Sequence, residues 1–490
     1  MSEHCGFVVE VTQLRPHTNA DKLQIATFFR QDVCVGLDTQ LGDKGVFFPC
    51  DLQLSLDFCL ENNLLRVLPD GTKGPGYMDP DKRNVKAIRL RGEKSSGIYL
   101  PISCLAYTGI NVNTLKVGET ITTVNGKEIC KKYIPARQNA TVAGGAGSRT
   151  KRRAQRTVAP TFFEHKDTEQ LAYNLGEFKP GDEIEITLKI HGTSQRTANV
   201  PVLQENRFNL HDSELKSLII KLMPHGKWRD KLIEKWCDPA YDYGTISGTR
   251  RTVMDTFEGG FYGSNEFREQ YHEHFKGKLW KGETVYYEVA GFTHTGAPIM
   301  GQVSNKGVND KNFIKMYGEK TTFSYGCVPN PKQVAGVADS ANPNSTFQNV
   351  ERQSHMWVYR MTMTNPDGEV VEYTPDFMRY RCEQMAVDCV PLLWKGTIPE
   401  HPASKDDDTI SAGEWIMNKA ELFYDGPDPI DPRHVREGVV VRILNRPTFK
   451  AFKHKNWNFK VIEGIAKDVA DAPDMEEADG LDIGTEEVDV

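Results

Sequence analysis

Residues Glu183 to Arg196 read EIEITLKIHGTSQR, and the organisation of the chain is best understood outward from this stretch. Apolar residues alternate with polar ones up to Leu188, which predicts a β-strand with one buried face. Lys189 ends the strand, and Gly192 follows three residues later, where it allows the backbone to approach a ligand closely. A lysine that is partly desolvated or lies near other cations can lose its proton and act as a nucleophile. Taken alone, the K-x-x-G spacing is more typical of a surface strand that runs into a turn.

The length and composition indicate a soluble protein of two or three domains. The chain has 490 residues, of which 39% are hydrophobic and 26% are charged, as in globular proteins. It contains no apolar run that is long enough to span a membrane, and its N-terminus lacks the pattern of a secretory signal. The ten cysteines include no C-x-x-C pair. This argues against a zinc site and favours reduced thiols in the cytoplasm, or in the nucleus of a eukaryote.

The net charge of −7 depends on the C-terminal end of the chain. Residues 468–490 contain ten acidic residues and no lysine or arginine, so we expect a disordered acidic tail. The remaining residues comprise 60 basic and 57 acidic side chains, a net charge of +3. This mild excess of positive charge permits a nucleic-acid partner without requiring one.

Changes in composition divide the chain before this tail into three predicted segments. Residues 1–130 contain short apolar runs between turn signals, which is typical of a nucleic-acid-binding β-barrel or of a barrel used for protein contacts. Residues 131–160 predict a flexible basic linker that either contacts phosphate or is merely solvated. Residues 161–467 mix helices with strands, which indicates an α+β domain built on antiparallel sheet.

Within the third segment, the sequence predicts helices at residues 213–223 and 228–236 and strands at the apolar stretches that follow. Residues 293–355 are rich in Gly, Asn, Pro and Ser. This composition predicts an extended insertion, and the sequence assigns no role to it.

Four stretches after Lys189 carry charged residues in an order that suits phosphate chemistry. An arginine can donate two hydrogen bonds at once to phosphate oxygens. A carboxylate inside an apolar strand needs a hydrogen-bonding or charged partner. The two lysines of a K-x-K motif lie on the same face of a strand. Each stretch alone is more typical of an ordinary strand end or a solvated edge. The residues in question are Arg250 or its neighbour Arg251, Glu288, Glu437, Lys453 and Lys455.

Together with KIHG, these stretches resemble motifs I, Ia, III, IV and V of the covalent nucleotidyltransferases, which include ligases and capping enzymes. HMWVYRMT at residues 355–362 lies where motif IIIa belongs. KIHG and KHKN resemble the double-strand RNA ligases more than the DNA ligases. The stretches 20–28 and 90–101, ADKLQIATF and LRGEKSSGIYLP, resemble the N-terminal OB module of the Deinococcus-type nick-sealing RNA ligases. About 35 residues follow Lys455, too few for the C-terminal OB domain of DNA ligases and capping enzymes.

The resemblance implies an N-terminal OB-fold β-barrel followed by a nucleotidyltransferase domain with ATP-grasp-like antiparallel sheets and helices. The implied activity is that of an ATP-dependent RNA ligase. It joins 3′-OH and 5′-phosphate ends through lysyl-AMP and an adenylylated 5′ end, at nicks with an RNA 3′-OH strand. The implied cofactors are ATP and a divalent metal, Mg²⁺ or Mn²⁺, and the implied partner is RNA or an RNA/DNA duplex. We expect a monomer with no membrane partner. The alternatives are a DNA ligase, a capping-type guanylyltransferase, or a non-catalytic nucleic-acid-binding protein on a ligase scaffold.

The resemblance also implies roles for the charged residues. Lys189 would attack the α-phosphate of ATP, and Lys453 and Lys455 would contact that phosphate. Glu437 would help to organise the metal, and Arg250 would contact AMP or the 5′-phosphate. Deletion of residues 1–130 is expected to spare the attachment of AMP and to weaken the sealing of nicks.

The remaining implied residues bind the nucleoside. Glu288 would hold the ribose, and Tyr359 would stack on adenine, with Trp357 as the alternative. Leu188 stands where many family members carry a glutamate that contacts the adenine amino group, so the preference for ATP over GTP stays open. Three further residues are expected at the nucleotide: Arg196, Gly192 and His191, the last of which is equally typical of a turn.

Overall fold

The structure is a computed structural model, and part of the chain lies outside the residues that it describes. The described residues are 4–134, 158–210, 222–224, 237–250, 252–254, 257, 265–331, 351–405 and 408–468. Four predictions therefore fall largely outside them. These are the basic linker, the helices at 213–223 and 228–236, the alternative residue Arg251 and the acidic tail.

The N-terminal part, residues 4–134, consists mainly of short strands. A short helix, α1 (Leu56–Glu61), begins at Ser55, whose side chain accepts a hydrogen bond from the backbone N–H of Phe58, as an N-cap serine commonly does. The strands are β1 (Gly6–Glu10), β2 (Leu14–Pro16), β3 (Leu23–Phe28), β4 (Gln31–Gly36), β5 (Lys44–Phe48), β6 (Leu52–Leu54), β7 (Ala87–Leu90), β8 (Glu93–Ser96), β9 (Ile98–Pro101), β10 (Thr120–Ile121), β11 (Thr123–Val124), β12 (Lys127–Glu128) and β13 (Cys130–Lys132).

The second part contains longer strands and most of the helices. Its strands are β14 (Glu169–Gln170), β15 (Glu183–Lys189), β16 (Thr193–Leu210), β17 (Cys237–Gly248), β18 (Val253–Met254), β19 (Glu283–Gly291), β20 (Val303–Ser304), β21 (Lys320–Thr321), β22 (Ser354–Thr364), β23 (Val370–Glu372), β24 (Leu392–Thr397), β25 (Gly438–Ile443) and β26 (Lys450–Lys455). Its helices are α2 (Glu266–Phe275), α3 (Lys311–Tyr317), α4 (Pro375–Met385), α5 (Ala412–Glu421) and α6 (Trp457–Asp468).

The prediction of a closed N-terminal barrel is not confirmed. The described strands of residues 4–134 form a four-stranded sheet in the order β10-β1-β5-β9, a three-stranded sheet in the order β2-β3-β4, and separate pairs of strands. Their facing apolar side chains still make two buried clusters, one around Val8 and Phe48 and one around Phe7 and Phe47. The alternation of buried apolar side chains along β1 and β5 therefore specifies a β-rich core, but it does not specify that the strands close into a barrel.

The second part is mixed α and β with largely antiparallel sheets, as the sequence predicts; the pair β14–β26 is parallel. A five-stranded sheet has the order β14-β26-β25-β15-β24, and a six-stranded sheet has the order β18-β17-β16-β19-β22-β23. The pairs β15–β25, β25–β26, β16–β19 and β19–β22 are antiparallel. The strands predicted around Lys189, Glu288, Tyr359, Val440 and Lys453 are all confirmed.

The N-terminal part packs directly against the second part. The guanidinium of Arg89 lies 5.0 Å from the ring centre of Trp457 on α6, and its Nε donates to the carbonyl of Val308 at 3.2 Å. Tyr173 packs against Phe7 at a ring separation of 4.9 Å. These contacts bring the N-terminal part close to the strand ends where Lys189 lies. In the part of the chain that is described, no helix is long and apolar enough to cross a membrane.

Candidate active site

The register of the five-stranded sheet places Lys189 and Lys455 in one row. Lys189 pairs with Gly438 on β25, and Gly438 pairs with Lys455 on β26. Directly paired residues present their side chains on the same face, and Gly438 has none. The two lysines therefore face the same space across a gap that no side chain fills.

Two further rows continue this face along the sheet. Thr187 pairs with Val440, which pairs with Lys453, so the first lysine of the K-x-K motif also shares the face of Lys189. Glu185 follows in the next row because side chains alternate along a strand. Leu188 points to the opposite face and is 1% exposed within a buried apolar cluster.

Glu437 lies at the centre of the charged groups. Its Oε1 is 2.9 Å from Nζ of Lys189 and 3.6 Å from Nζ of Lys455, and its side chain is 2% exposed. Its Oε2 is buried and has no hydrogen-bond partner among the described residues. A buried carboxylate oxygen in this position is a suitable ligand for a hard divalent cation.

The described residues provide no cluster of three or more His, Cys, Asp or Glu side chains that could hold a metal ion. Glu437 therefore suits a metal bound in the manner typical of Mg²⁺, through one or two carboxylates together with water and substrate phosphates. It does not suit a metal held in a cage of protein ligands.

Glu463 on α6 is a member of the site that sequence reasoning missed. Both of its carboxylate oxygens lie 2.8 Å from Nζ of Lys455, and the two side chains are 15% and 13% exposed. The contact depends on α6 folding back against the end of β26. Glu463 lies beyond the K-x-K motif, and no pattern in the sequence singles it out.

His191 is held tightly beside Glu437. Its ring contacts Phe323 and Phe459 edge-on, each at 4.8 Å, and its Nδ1 is 3.9 Å from Glu437 Oε2. Its backbone N–H donates to the hydroxyl of Tyr325 at 2.7 Å. Burial lowers the pKa of His191, so the neutral ring is favoured at neutral pH. The structure thus places His191 beside the Glu437 carboxylate, at a distance longer than a hydrogen bond.

Gly192 is required by a close approach between strands. A Cβ atom at this position would lie 2.3 Å from the carbonyl oxygen of Val289 and 3.1 Å from Cγ of Glu288. The sequence suggests that this glycine gives room to a ligand. In the structure this glycine also lets β16 pack against β19, which brings Glu288 towards the site.

An apolar cavity lies between the five-stranded and six-stranded sheets, beside Lys189. It has a volume of about 810 Å³ including its opening to solvent. The six-stranded sheet contributes Ser194, Glu288 and Tyr359 to its wall. The other wall includes Thr187, Lys189, Val440, Arg442, Phe449 and Ala451.

Three polar groups meet on the six-stranded side of this apolar cavity. The hydroxyl of Ser194 lies 3.3 Å from Glu288 Oε2 and 3.2 Å from the hydroxyl of Tyr359. Tyr359 sits where the register of β22 against β19 shifts, and such irregularities commonly redirect a side chain. Trp357 is 5% exposed and packs against Tyr325 and His355. Of the two aromatic candidates, Tyr359 lines the cavity and Trp357 belongs to the neighbouring core.

The arginines expected near the nucleotide have different environments. Arg250 lines the apolar cavity, and its Nε lies 2.8 Å from Asp167. Arg196 is 1% exposed, lies over the ring of Phe162 at 4.5 Å, and donates from NH1 to the carbonyl of Arg250 at 2.8 Å. Burial lowers the pKa of Arg196 to about 10. Arg196 is thus placed to hold the Arg250 backbone rather than to line the cavity.

A second, polar cavity adjoins the first at Lys189 and Arg250. Its volume is about 990 Å³ including its opening to solvent, and its walls include Glu437, Lys453, Lys455 and Glu463. Residues from the N-terminal part also line it: His4, Pro49, Cys50, Asp51, Lys132 and Tyr133. Sequence reasoning did not identify these residues because their contribution depends on how the two parts pack.

No protein-family model matches the chain, and none of the curated proteins searched matches it. Among solved structures, the chain is similar to the RNA ligase of Naegleria gruberi. A mutant with AMP and Mn has a TM-score of 0.48 at 14% identity, covering 93% of this chain and 97% of that one. A mutant with ATP and Mn gives the same TM-score and identity, covering 93% and 98%. The ligase with PPi gives a TM-score of 0.49 at 14% identity, covering 92% and 96%.

Proposed function

We propose that the chain is an ATP-dependent RNA ligase that works through a covalent lysyl-AMP intermediate. The observation that carries the proposal is the position of Lys189, at the junction of an apolar and a polar cavity and 2.9 Å from Glu437. A nucleotide has an apolar base at one end and charged phosphates at the other. An amine at the junction of two such cavities would meet the phosphate next to the nucleoside.

In the proposed first step, Nζ of Lys189 attacks the α-phosphorus of ATP. A bond forms between nitrogen and phosphorus, and the bond from the α-phosphorus to the bridging oxygen of pyrophosphate breaks. Pyrophosphate leaves with that electron pair. Lys189 must first give up a proton, and Glu437 Oε1 is its nearest carboxylate acceptor. The positive charges of Lys453 and Lys455 favour the neutral amine and stabilise the negative charge of the transition state.

The apolar cavity would bind the nucleoside. Tyr359 is placed to stack on the base, and Glu288 and Ser194 offer hydrogen bonds to the ribose hydroxyls,. Glu185 and Thr187 lie on the same strand face as Lys189 and also line this cavity, so they are the candidates for reading the base. The Glu185 carboxylate pairs with Arg379, which leaves its orientation fixed.

A divalent metal, Mg²⁺ or Mn²⁺, would supply charge neutralisation at the phosphates. Glu437 would hold it through Oε2, the buried oxygen without a hydrogen-bond partner among the described residues. The His191 ring would pack beside that carboxylate, with Nδ1 3.9 Å from Oε2.

The choice of RNA ligase over other covalent nucleotidyltransferases rests on sequence features. These are the KIHG and KHKN stretches and the resemblance of the N-terminal residues to the module of nick-sealing RNA ligases. Lysyl-AMP would pass its AMP to a 5′-phosphate, and a 3′-OH would then attack the adenylylated end and expel AMP. Residues 1–130 would bind the duplex around the nick.

The proposal is tested with a nicked duplex that carries a 5′-phosphate, ATP and Mg²⁺ or Mn²⁺. Sealing should depend on ATP and should be faster with an RNA 3′-OH strand than with a DNA 3′-OH strand. Lys189→Ala should abolish sealing by ATP but still join a strand that is already adenylylated at its 5′ end. The matched control is Lys179→Ala, an exposed lysine on the same segment, which should behave as wild type.

Two results would count against the proposal. Equal sealing by wild type and Lys189→Ala in the presence of ATP would exclude the covalent step. Equal rates with RNA and DNA 3′-OH strands would favour a DNA ligase instead.

A further inference from the structure

The turn between α2 and β19 presents a tryptophan to solvent in a fixed orientation. Trp280 is 46% exposed, and the guanidinium of Arg381 lies 3.9 Å from its ring centre. Arg381 is 3% exposed and donates to both carboxylate oxygens of Glu283, at 2.8 and 2.7 Å. The indole therefore packs on a cation that is itself held in place, and the exposed part of the ring can meet a ligand.

Two aromatic side chains of α4 extend this exposed surface. Phe377 and Tyr380 are 38% and 51% exposed, and their rings lie 6.1 Å apart at an angle of 25°. Phe377 lies 6.3 Å from the ring of Trp280. The side-chain amide of Gln384 donates to the hydroxyl of Tyr380 at 2.8 Å, and its oxygen accepts from Arg381. Arg381 thus orders aromatic rings on both sides of it, and a contiguous exposed apolar patch commonly marks an interaction site.

The turn that carries the tryptophan is also basic. Residues 276–281 read KGKLWK, with three lysines and no acidic residue. Lys276, Lys278 and Lys281 are all exposed. Lys276 pairs with Glu273 at 3.1 Å, but an exposed pair of this kind is weakly held. Phosphate groups can therefore reach all three ammonium groups.

This combination of rings and lysines suits an unpaired strand of nucleic acid. Every base has a flat face that stacks on an aromatic ring, and neighbouring cations contact the phosphates. The bases of a duplex already stack on one another, so exposed rings of this kind serve unpaired nucleotides. A second copy of the chain, docked on the same surface through a two-fold axis, would instead bring like charges together.

The surface lies on the outer side of a helix that also forms a wall of the apolar cavity. Met378 on α4 is 2% exposed and lines that cavity, whereas Phe377 and Tyr380 on the same helix face solvent. An α-helix with its side chains is about 10 Å across. The exposed surface and the apolar cavity are therefore neighbours with separate linings.

We propose that Trp280, Phe377 and Tyr380, together with Lys278 and Lys281, form a binding surface for an unpaired strand of nucleic acid. The inference goes beyond the proposed function, because this surface lies outside both cavities and needs no ATP. In a ligation substrate it would hold unpaired nucleotides. It would thereby favour broken strands with a single-stranded segment over a fully paired nick.

The test measures binding by fluorescence anisotropy, with full-length protein and no ATP. The probe is a labelled single-stranded oligouridylate of about 12 nucleotides, a length that one single-strand site can cover. Trp280→Ala should raise the Kd for this probe about tenfold, the effect of losing one base-stacking partner. Trp280→Phe keeps an aromatic ring and should recover most of the affinity. The probe annealed to its complement should bind wild type and Trp280→Ala equally.

A second variant, Lys278→Ala/Lys281→Ala, tests the charge and leaves the packing of Trp280 in place. The slope of log Kd against log salt concentration should fall by about 1.4, because each phosphate contact of a single strand contributes about 0.7. Lys315→Ala/Lys320→Ala is the matched control, since both of these lysines are exposed elsewhere on the second part. It should keep the wild-type slope.

The inference is overturned if Trp280→Ala binds the single-stranded probe as wild type does, or if it weakens duplex binding to the same extent. An unchanged salt slope in the double lysine variant would also overturn it. A wild-type dimer in sedimentation that Trp280→Ala dissociates would assign the surface to a second copy of the chain instead. Because the assay contains no ATP, a failure of self-adenylylation would refute the proposed function and leave this inference standing.

Discussion

The Nζ atom of Lys189 lies 2.9 Å from Oε1 of Glu437, and the glutamate side chain is 2% exposed. A contact this short between an ammonium and a buried carboxylate is a strong, charge-assisted hydrogen bond. It fixes the direction of the lysine amine and also keeps its proton. The pair therefore describes the resting state, in which the amine is aligned but is not yet a nucleophile.

Glu437→Gln should distinguish the role of Glu437 in aligning the Lys189 amine from its role in accepting the proton of that amine. The amide keeps the shape of the side chain but cannot accept a proton or bind a cation as strongly. We expect the rate of self-adenylylation to fall by about 100-fold, the size of loss seen when one electrostatic contact is removed from an active site. The rate is measured by the incorporation of α-labelled ATP. Glu383→Gln, an exposed glutamate on α4, is the control, and a Glu437→Gln rate equal to it would remove Glu437 from the mechanism.

Tyr359 and Trp357 should differ in what they contribute. Tyr359→Ala removes a side chain that lines the apolar cavity, and the loss of a base-stacking partner should raise the KM for ATP about tenfold. Trp357→Ala removes a side chain that is 5% exposed, and it should lower the free energy of unfolding by about 3 kcal/mol or more. Steady-state adenylylation and thermal unfolding are measured on both variants. A raised KM for ATP in Trp357→Ala, with an unchanged KM in Tyr359→Ala, would assign the stacking role to Trp357.

Gly192→Ala tests the close packing of β16 on β19. The added Cβ would meet the carbonyl oxygen of Val289 at 2.3 Å, so the backbone must shift. We expect a loss of about 2 kcal/mol in the free energy of unfolding, typical of overpacking. Gly176→Ala is the control because a Cβ there meets nothing within 4 Å. If urea unfolding gives the two variants the same free energy of unfolding, the close approach of Gly192 to Val289 does not contribute to stability.

The strands of the site are readable from the sequence because each follows simple alternation. Leu188 points into the core and Lys189 to the opposite face, as the pattern from Ile184 onward requires. The two lysines of KHK share a face for the same reason. Local sequence therefore predicts β15 and β26 and the orientation of their charged residues.

Contacts that join distant segments could not be predicted in the same way. Glu463 reaches Lys455 only because α6 folds back on β26, and Lys132 reaches the polar cavity only because β13 packs beside the second part. The close approach of Gly192 to Val289 likewise joins two strands that are distant in sequence. Barrel closure likewise depends on pairing between strands, which apolar runs in residues 1–130 do not encode.

The pH dependence of stability should depend on His454, which lies between the two lysines of the motif and stacks on Tyr424 at 4.6 Å. Burial, followed by the charges of Lys460 and Arg30, lowers the pKa of His454 to about 3. The unfolded chain binds a proton on this histidine below about pH 6.5, whereas the folded chain does not. The contribution of neutral His454 to the free energy of unfolding is therefore fully present above pH 6.5 and is lost as the pH falls towards 3.

His454→Phe should keep the stacking on Tyr424 and remove the titration. The decrease in the free energy of unfolding from pH 7.5 to pH 5 should become smaller by about 1 kcal/mol, a value reduced for partial solvent access. Urea unfolding at the two pH values measures this difference. His401→Gln, at an exposed position, is the control and should leave this decrease in the free energy of unfolding unchanged. If the decrease is also unchanged in His454→Phe, groups other than His454 cause the pH dependence.

The central claim is that Lys189 is the residue that carries AMP. The most direct measurement is peptide mapping by mass spectrometry after the wild-type protein is incubated with ATP and Mg²⁺ or Mn²⁺. We predict a single AMP adduct on Lys189, stable to base and released by acid, as expected of a phosphoramidate. An adduct on any other residue, or no adduct while nicks are still sealed, would contradict the account.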